Sequence, residues 1–129
     1  IKENVYQRTN KEGIMSKAMR TSNNKARDYV NNMEDFQGSN MFGKWYSWDE
    51  GMTKLYVVYS YGEHFPMYIY DDNEDVWVGN QDKYSRSTTR HQSQCRPSGG
   101  VDVWLSTSEM KGLIAEGGLV GLTISKAQN

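Results

Sequence analysis

The sequence predicts a single α+β domain: an antiparallel sheet, made of a meander of about three strands plus two later strands, with an N-terminal helix and a short late helix packed on it. Three observations support this prediction. Runs rich in aromatic and β-branched residues fill the stretch 54–80. Apolar residues at helical spacing precede them, within 22–33. A serine and a glutamate spaced as a capping box, Ser106 and Glu109, follow them.

The length and composition of the chain agree with one folded domain. At 129 residues it is long enough to bury one core. Its mean hydropathy of −0.83 is low, but four Trp, nine Tyr and three Phe supply the apolar surface that disordered chains lack. The polar residues 1–13 show no periodicity, so we expect them to form an N-terminal arm on a domain that spans 1–129.

The N-terminal helix is predicted at 22–33. Its apolar residues Ala26, Tyr29, Val30 and Met33 stand at positions i, i+3, i+4 and i+7, which places them on one face of a helix. A helix this short needs a surface to pack on. We therefore expect its apolar face to contact the sheet.

The three meander strands are predicted at 54–61, 65–71 and 76–80. The first is apolar on both faces and is typical of a central strand. Gly62 lies in a connection short enough for a hairpin, and an acidic turn at 71–75 joins the second strand to the third. Neighbouring strands joined by such short turns are expected to be antiparallel.

The last third of the chain predicts two more strands and the late helix. A strand is expected at 101–105, and the capping box then opens a helix at 107–116. Two glycines end this helix. The apolar run 119–125 predicts the final strand.

Charge is segregated along the chain although the net charge is only −1. Residues 31–82 carry ten acids and two bases, whereas 83–96 carry four bases and no acid. We find neither an apolar stretch long enough to span a membrane nor a leader-like N-terminus. The single cysteine, Cys95, excludes an internal disulfide. These features predict a cytoplasmic protein that does not contact membranes.

The sequence contains no metal or cofactor signature. Asp71, Asn73 and Asp75 alternate as in a calcium loop, but Val76 stands where that loop requires glycine. One cysteine and two histidines are too few for a zinc site. The glycine-containing stretches lack the spacing of phosphate-binding loops. We therefore predict no metal and no cofactor.

The segment 83–96 is the strongest candidate for a binding site. Arginine can hold phosphate or carboxylate with two parallel hydrogen bonds, and hydroxyl and amide groups can add further donors. The alternative is an ordered connection whose hydroxyls cap backbone groups and whose arginines pair with the acidic middle of the chain. The predicted ligand-binding residues are Lys83, Tyr84, Ser85, Arg86, Thr88, Thr89, Arg90, His91, Gln92, Gln94 and Arg96.

Two histidines are the candidates for acid–base catalysis. His91 lies within the segment and His64 lies at the first hairpin, where packing against the sheet edge is the simpler interpretation. Together they could serve a metal-independent, ribonuclease-like reaction, with Lys83 and Arg96 stabilising the negative charge of the phosphorane.

The tyrosines and the tryptophan of the strands are predicted to be core residues that pair across the sheet. The alternative is an exposed aromatic face that stacks bases, but the ten surrounding acids would repel a polyanion. The residues concerned are Tyr56, Tyr59, Tyr61, Tyr68, Tyr70 and Trp77.

Four stretches, at 26–45, 55–71, 82–97 and 103–110, together resemble a family of small, uncharacterised proteins encoded by tailed bacteriophages. The most specific strings are YSYGEHFPMY, from Tyr59, and KYSRSTTRHQSQCRP, from Lys83. The resemblance implies expression in the cytosol of a bacterial host. It also implies an accessory role, such as binding host proteins or nucleic acid, and it transfers no catalytic residue.

Three hypotheses about function follow. The leading one is a non-enzymatic protein that binds a nucleotide, a nucleic-acid phosphate or an acidic protein surface through 83–96. The second is the ribonuclease-like enzyme. The third is an inhibitor whose acidic region, 34–82, mimics nucleic acid toward a host enzyme.

Overall fold

The chain is represented by a computed structural model that describes residues 7–9, 19–48, 51 and 53–118. The strands are β1 (Gln7–Thr9), β2 (Met19–Arg20), β3 (Phe36–Gln37), β4 (Met41–Trp48), β5 (Thr53–Ser60), β6 (Pro66–Asp71), β7 (Val76–Asn80) and β8 (Val103–Leu105). The helices are α1 (Ala26–Asn31), which follows a 3-10 turn at Asn23–Lys25, α2 (Arg86–Gln94) and α3 (Thr107–Glu116).

All of these strands belong to one mixed sheet. Its path runs β2-β3-β4-β5-β6-β7-β8, and β1 pairs with β4 beside this path. The pairs between β3 and β7 are antiparallel, whereas the two outer pairs, β2 with β3 and β7 with β8, are parallel.

The predicted antiparallel sheet with one N-terminal helix is therefore wrong, and the crossover helices are the reason. Parallel neighbours cannot be joined by a hairpin, so a helix must carry the chain back to the starting end of the sheet. In this fold α1 makes that crossover between β2 and β3, and α2 makes it between β7 and β8. Most of the segment 83–96, to which the sequence analysis assigned neither helix nor strand, is the second crossover helix.

The strand β4 was also missed. Gly43 and Lys44 interrupt its apolar pattern, yet it pairs with β5 over its whole length, from Met41 to Trp48. The Phe36 ring of β3 lies over Gly43 and supplies the apolar cover that the glycine lacks.

Two apolar clusters cover the two faces of the sheet. The cluster under α1 and α2 contains Trp45, Tyr56, Val58, Met67 and Tyr68, together with Ala26 and Val30 of α1 and Cys95. The cluster under α3 contains Tyr46, Val57, Ile69 and Val78, together with Met110 and Leu113 of α3. Alternate residues along the central strands face opposite ways, so both faces are apolar.

The helix α3 has the predicted ends. Ser106 accepts a hydrogen bond from the Glu109 backbone N–H, and the Glu109 carboxylate accepts one from the Ser106 N–H. Gly117, with a φ of 81°, ends the helix in the left-handed conformation. The strand predicted at 119–125 lies outside the described residues.

The N-terminal helix is shorter than the predicted 22–33. The helix proper covers Ala26–Asn31, and Ala26 and Val30 are its buried residues. Met33, with a φ of 54°, leaves the helix, and its carbonyl accepts a hydrogen bond from the Trp45 indole at 2.6 Å. Within the predicted arm, only 7–9 are described, and they pair with β4.

No helix among the described residues is long and apolar enough to cross a membrane.

Replacing Gly43 by Ala is expected to lower the free energy of unfolding by about 1–3 kcal/mol, as overpacking of a core does. The new Cβ would lie 2.6 Å from Phe36 Cε1 and 2.7 Å from the Tyr56 hydroxyl oxygen. Gly112→Ala is the matched control, because its Cβ would meet nothing within 4 Å. The control should gain about 0.5–1 kcal/mol from helix propensity. Urea unfolding measures both, and equal effects would contradict the packing described for Gly43.

Candidate functional site

The candidate site is built on α2. Ser85 caps the helix by accepting a hydrogen bond from the Thr88 N–H, and the Thr88 hydroxyl accepts one from the Ser85 N–H. The hydroxyl groups of Ser85 and Thr88 therefore cap backbone N–H groups at the start of a helix. Capping by hydroxyls is what the alternative interpretation of 83–96 predicts.

One face of α2 is buried, and it is polar. Thr88, His91, Gln92 and Cys95 stand at i, i+3, i+4 and i+7, and all four are buried. We call these four residues the polar stripe. The periodicity was present in the sequence, but three of its four side chains are polar, so a search for apolar spacing passes over it.

His91 connects the polar stripe to β5. Its side chain is 4% exposed, and its Nδ1 lies 2.8 Å from the hydroxyl oxygen of Ser60, which is fully buried. The Tyr61 ring packs beside the imidazole, with 5.3 Å between ring centroids. Burial, and next the charge of Arg90, lower the pKa of His91 below its usual 6.5. His91 is therefore a neutral, interior hydrogen-bonding group at pH 7.

Gln92 connects the polar stripe to the end of β7. Its amide nitrogen donates to the Asn80 carbonyl at 3.0 Å and to the Asp82 carbonyl at 3.3 Å. The reverse orientation would point the amide oxygen at two acceptors, so the direction of this side chain is fixed. Asn80 continues the connection, because its amide donates to the Pro66 carbonyl and to the Thr107 hydroxyl.

Two further hydrogen bonds hold the last turn of α2. The Tyr68 hydroxyl donates to the Gln92 carbonyl at 2.6 Å, and the Cys95 thiol donates to the His91 carbonyl at 3.1 Å. Cys95 is fully buried, and this burial raises the pKa of its thiol well above the usual range. A protonated, enclosed thiol is a structural group and not a nucleophile.

The opposite face of α2 is basic. Lys83 precedes the helix, Arg86 and Arg90 stand one turn apart on it, and Arg96 follows it; all four side chains are exposed. We call these four residues the basic face. Among the described residues, no carboxylate forms a salt bridge with Lys83, Arg86 or Arg90.

The C-terminal end of α2 is braced by α1 and β8. The Arg27 guanidinium donates to the Ser93 carbonyl at 2.6 Å, where the carbonyl groups of the last turn favour a cation. The Gln94 amide donates to the Asn24 side chain at 3.2 Å. The Arg96 guanidinium lies over the Trp104 ring, 5.3 Å from its centroid.

The structure divides the predicted ligand-binding residues between these faces instead of bringing them to one point. Thr88, His91 and Gln92 are buried, and Gln94 is half-buried. The exposed members are Lys83, Tyr84, Ser85, Arg86, Thr89, Arg90 and Arg96.

The two candidate catalytic histidines have different surroundings. His64 is exposed in the turn between β5 and β6, and its ring faces that of Tyr84, with 6.4 Å between centroids. His91 is in the interior, bonded to Ser60. A buried imidazole without access to solvent is poorly placed to move protons to and from a substrate.

Three acids of 34–82 have different local roles. Asp35 is buried and accepts from the Trp45 N–H, whereas the Asp71 carboxylate accepts from two backbone N–H groups of the β6–β7 turn. Glu63, in the turn at the other end of β6, pairs with Lys44. These carboxylates organise separate local structures and do not form one surface.

No group of three His, Cys, Asp or Glu side chains that could hold a metal occurs in the described part of the chain. Comparison with protein-family models, with curated proteins and with solved structures found no match.

Gln92→Met is expected to lower the free energy of unfolding by about 1–3 kcal/mol, because the buried Asn80 and Asp82 carbonyls lose their amide donor. Gln81→Met is the matched control, since Gln81 is exposed at the end of β7. Urea unfolding measures both changes. Equal stabilities of the two variants would contradict the role given to Gln92.

His91 is expected to make stability depend on pH. Its pKa is lower in the folded protein than in the unfolded chain, so the unfolded chain binds the proton more readily. This contribution to stability is complete above pH 6.5 and is lost as the pH falls below 6.5. The stability difference between wild type and His91→Asn should therefore narrow from pH 7 to pH 5.

Urea unfolding across that pH range measures this difference, and NMR titration of the imidazole signals reports the pKa directly. A His64→Gln background leaves a single imidazole and makes the assignment unambiguous. A difference that stays constant with pH would show that His91 titrates alike in both states.

Proposed function

We propose that the protein binds an anionic ligand through the basic face of α2. The observation that carries this proposal is the division of the helix into two faces. The polar stripe is buried and fixes the rotation of α2 about its axis, so Arg86 and Arg90 point outward together. Guanidinium groups held one turn apart suit phosphate or carboxylate groups.

The charge around the basic face supports the same proposal. No acid occurs between Lys83 and Val101. Two carboxylates in turns of the sheet already have partners: Asp82, which precedes Lys83 in the chain, accepts from the Thr107 N–H at 2.8 Å, and Glu63 pairs with Lys44. Bonding to Thr107 holds the pKa of Asp82 below its usual value. The segment 83–96 thus carries four positive charges and no negative one, although the chain as a whole is slightly acidic.

The ligand that we propose is a nucleotide, a nucleic-acid phosphate or an acidic protein surface. We also propose that the protein is an accessory protein of a tailed bacteriophage, acting in the cytoplasm of the bacterial host. The motifs around Tyr59 and Lys83 support this setting. No catalytic step is needed for such a role.

The two other hypotheses receive less support. A ribonuclease-like reaction requires His91 to reach a substrate, and its imidazole is enclosed between α2 and β5. An acidic mimic of nucleic acid requires exposed, unpaired carboxylates, whereas Asp35 and Asp71 are buried and Glu63 pairs with Lys44.

The double variant Arg86→Gln, Arg90→Gln is expected to weaken binding of inorganic polyphosphate and of poly-glutamate roughly tenfold at low salt, since exposed ion pairs contribute up to about 1 kcal/mol each. Titration calorimetry at two salt concentrations measures this. Lys111→Gln is the matched control, because Lys111 is exposed on α3, on the opposite face of the sheet.

The control should bind as tightly as the wild type. Absence of binding to both polyanions at low salt would refute the proposal. Binding that the double variant retains in full would refute it as well.

A further inference from the structure

Three of the four exposed large apolar side chains among the described residues border α2. The four are Met19 (59% exposed), Tyr61 (52%), Tyr84 (72%) and Trp104 (40%). The three aromatic ones all border α2 or its ends. Large exposed rings rimmed by charged residues mark interaction sites more often than chance exposure does.

Tyr84 stands at the N-terminal end of α2, directly before the cap residue Ser85. The Tyr84 ring rests on the buried Phe65, with 5.8 Å between centroids, and one edge of it meets His64. The ring is therefore supported from below while most of its surface stays in solvent.

Trp104 stands at the other end of α2. Its ring lies directly on the backbone of β7, since a Cβ added to Gly79 would come within 2.6 Å of Trp104 Cζ3. The guanidinium of Arg96 lies over the same ring. Gly79 lets the indole of Trp104 lie against the β7 backbone. Arg96 places a cation over the same ring.

Tyr61 flanks the middle of α2, beside His91. Its φ of 68° is unusual for an aromatic residue, and the Asn40 carbonyl holds its N–H at 2.7 Å. Such a backbone conformation disfavours folding, and residues that adopt it cluster at functional sites. Here it leaves the Tyr61 ring half in solvent.

Cations of the basic face are neighbours of these rings, either in the chain or by contact. Lys83 adjoins Tyr84 in the chain, Arg90 precedes the histidine that Tyr61 contacts, and Arg96 covers Trp104. If the helical rise of about 1.5 Å per residue is applied to the twelve steps from Tyr84 to Arg96, these two residues are about 18 Å apart along the helix axis. Exposed rings and cations thus occur at both ends of α2, with Arg86 and Arg90 between these ends.

We propose that the exposed side of α2, with the rings at its two ends, binds single-stranded nucleic acid, with one base stacked on Tyr84, another against the exposed edge of Trp104, and phosphates on the basic face. The inference rests on the proposed anion binding and specifies its ligand. Aromatic rings beside a positively charged track are the features by which proteins bind unpaired strands without reading their sequence.

The aromatic rings distinguish this ligand from an acidic protein surface or a duplex. An acidic protein surface needs only the cations, so it leaves the exposure of Tyr84 and Trp104 unexplained. A duplex presents phosphates while its bases are stacked on each other, whereas unpaired bases offer free faces to the rings.

The test uses the full chain and a fluorescein-labelled oligothymidylate of about 12 nucleotides, within the site sizes of single-strand binders. Fluorescence anisotropy at low salt should show binding. Tyr84→Ala should weaken it about 5- to 150-fold, the range for loss of one stacked base. Tyr84→Phe keeps the ring and should bind within about twofold of wild type, which separates stacking from loss of fold.

Tryptophan fluorescence supplies an independent readout. Trp45 and Trp48 are buried and Trp77 is half-buried, so Trp104 is the most exposed indole in the described residues. The oligothymidylate should quench this fluorescence, and Trp104→Phe should remove most of the quenching. Inorganic polyphosphate, which has no bases, should bind without quenching.

The outcomes separate this inference from the proposed function. If polyphosphate binding depends on Arg86 and Arg90 while oligothymidylate binding is indifferent to Tyr84→Ala, the basic face is real and the stacking inference is refuted. Poly-glutamate or a duplex of the same length binding as tightly as the single strand would also refute it. If none of these polyanions binds, the proposed function itself fails.

Discussion

The orientation of α2 depends on hydrogen bonds from its buried side chains. The hydrophobic attraction that holds an apolar helix face to a core is not directional. The amide of Gln92 and the imidazole of His91 must instead meet particular atoms of β7 and β5. Rotating the helix would leave buried polar groups without partners. Arg86 and Arg90 thus point outward because Gln92 and His91, on the opposite face of the helix, form hydrogen bonds with the sheet.

The sequence predicted the centre of this fold better than its edges. Runs of aromatic and β-branched residues predicted the strands β5, β6 and β7, and the capping box predicted α3. Each of these signals lies within the element that it predicts or directly before it. The parallel edges depend on crossovers, which join residues far apart in the chain. The strand β4 was hidden by Gly43, whose apolar cover comes from Phe36 on a neighbouring strand.

The sequence identified the segment 83–96 as the candidate site. It did not predict which side chains of this segment are buried and which are exposed. The charge of 83–96 predicted an anion-binding surface, but the burial of His91 depends on a hydroxyl partner at Ser60, 31 positions earlier. An exposed arginine and a buried glutamine look equally polar in a sequence. Helical periodicity among the polar residues Thr88, His91 and Gln92 was the signal that could have separated them.

Because Cys95 is enclosed, the reaction of this thiol, the only one in the chain, is a probe of how firmly α2 is docked on the sheet. A thiol reagent cannot reach the sulfur while the last turn of α2 is seated, so its reaction rate reports how often that turn lifts from the sheet. A ligand that bridges the two ends of α2 would lower the rate at which Cys95 reacts. A ligand held by one end alone would leave that rate unchanged.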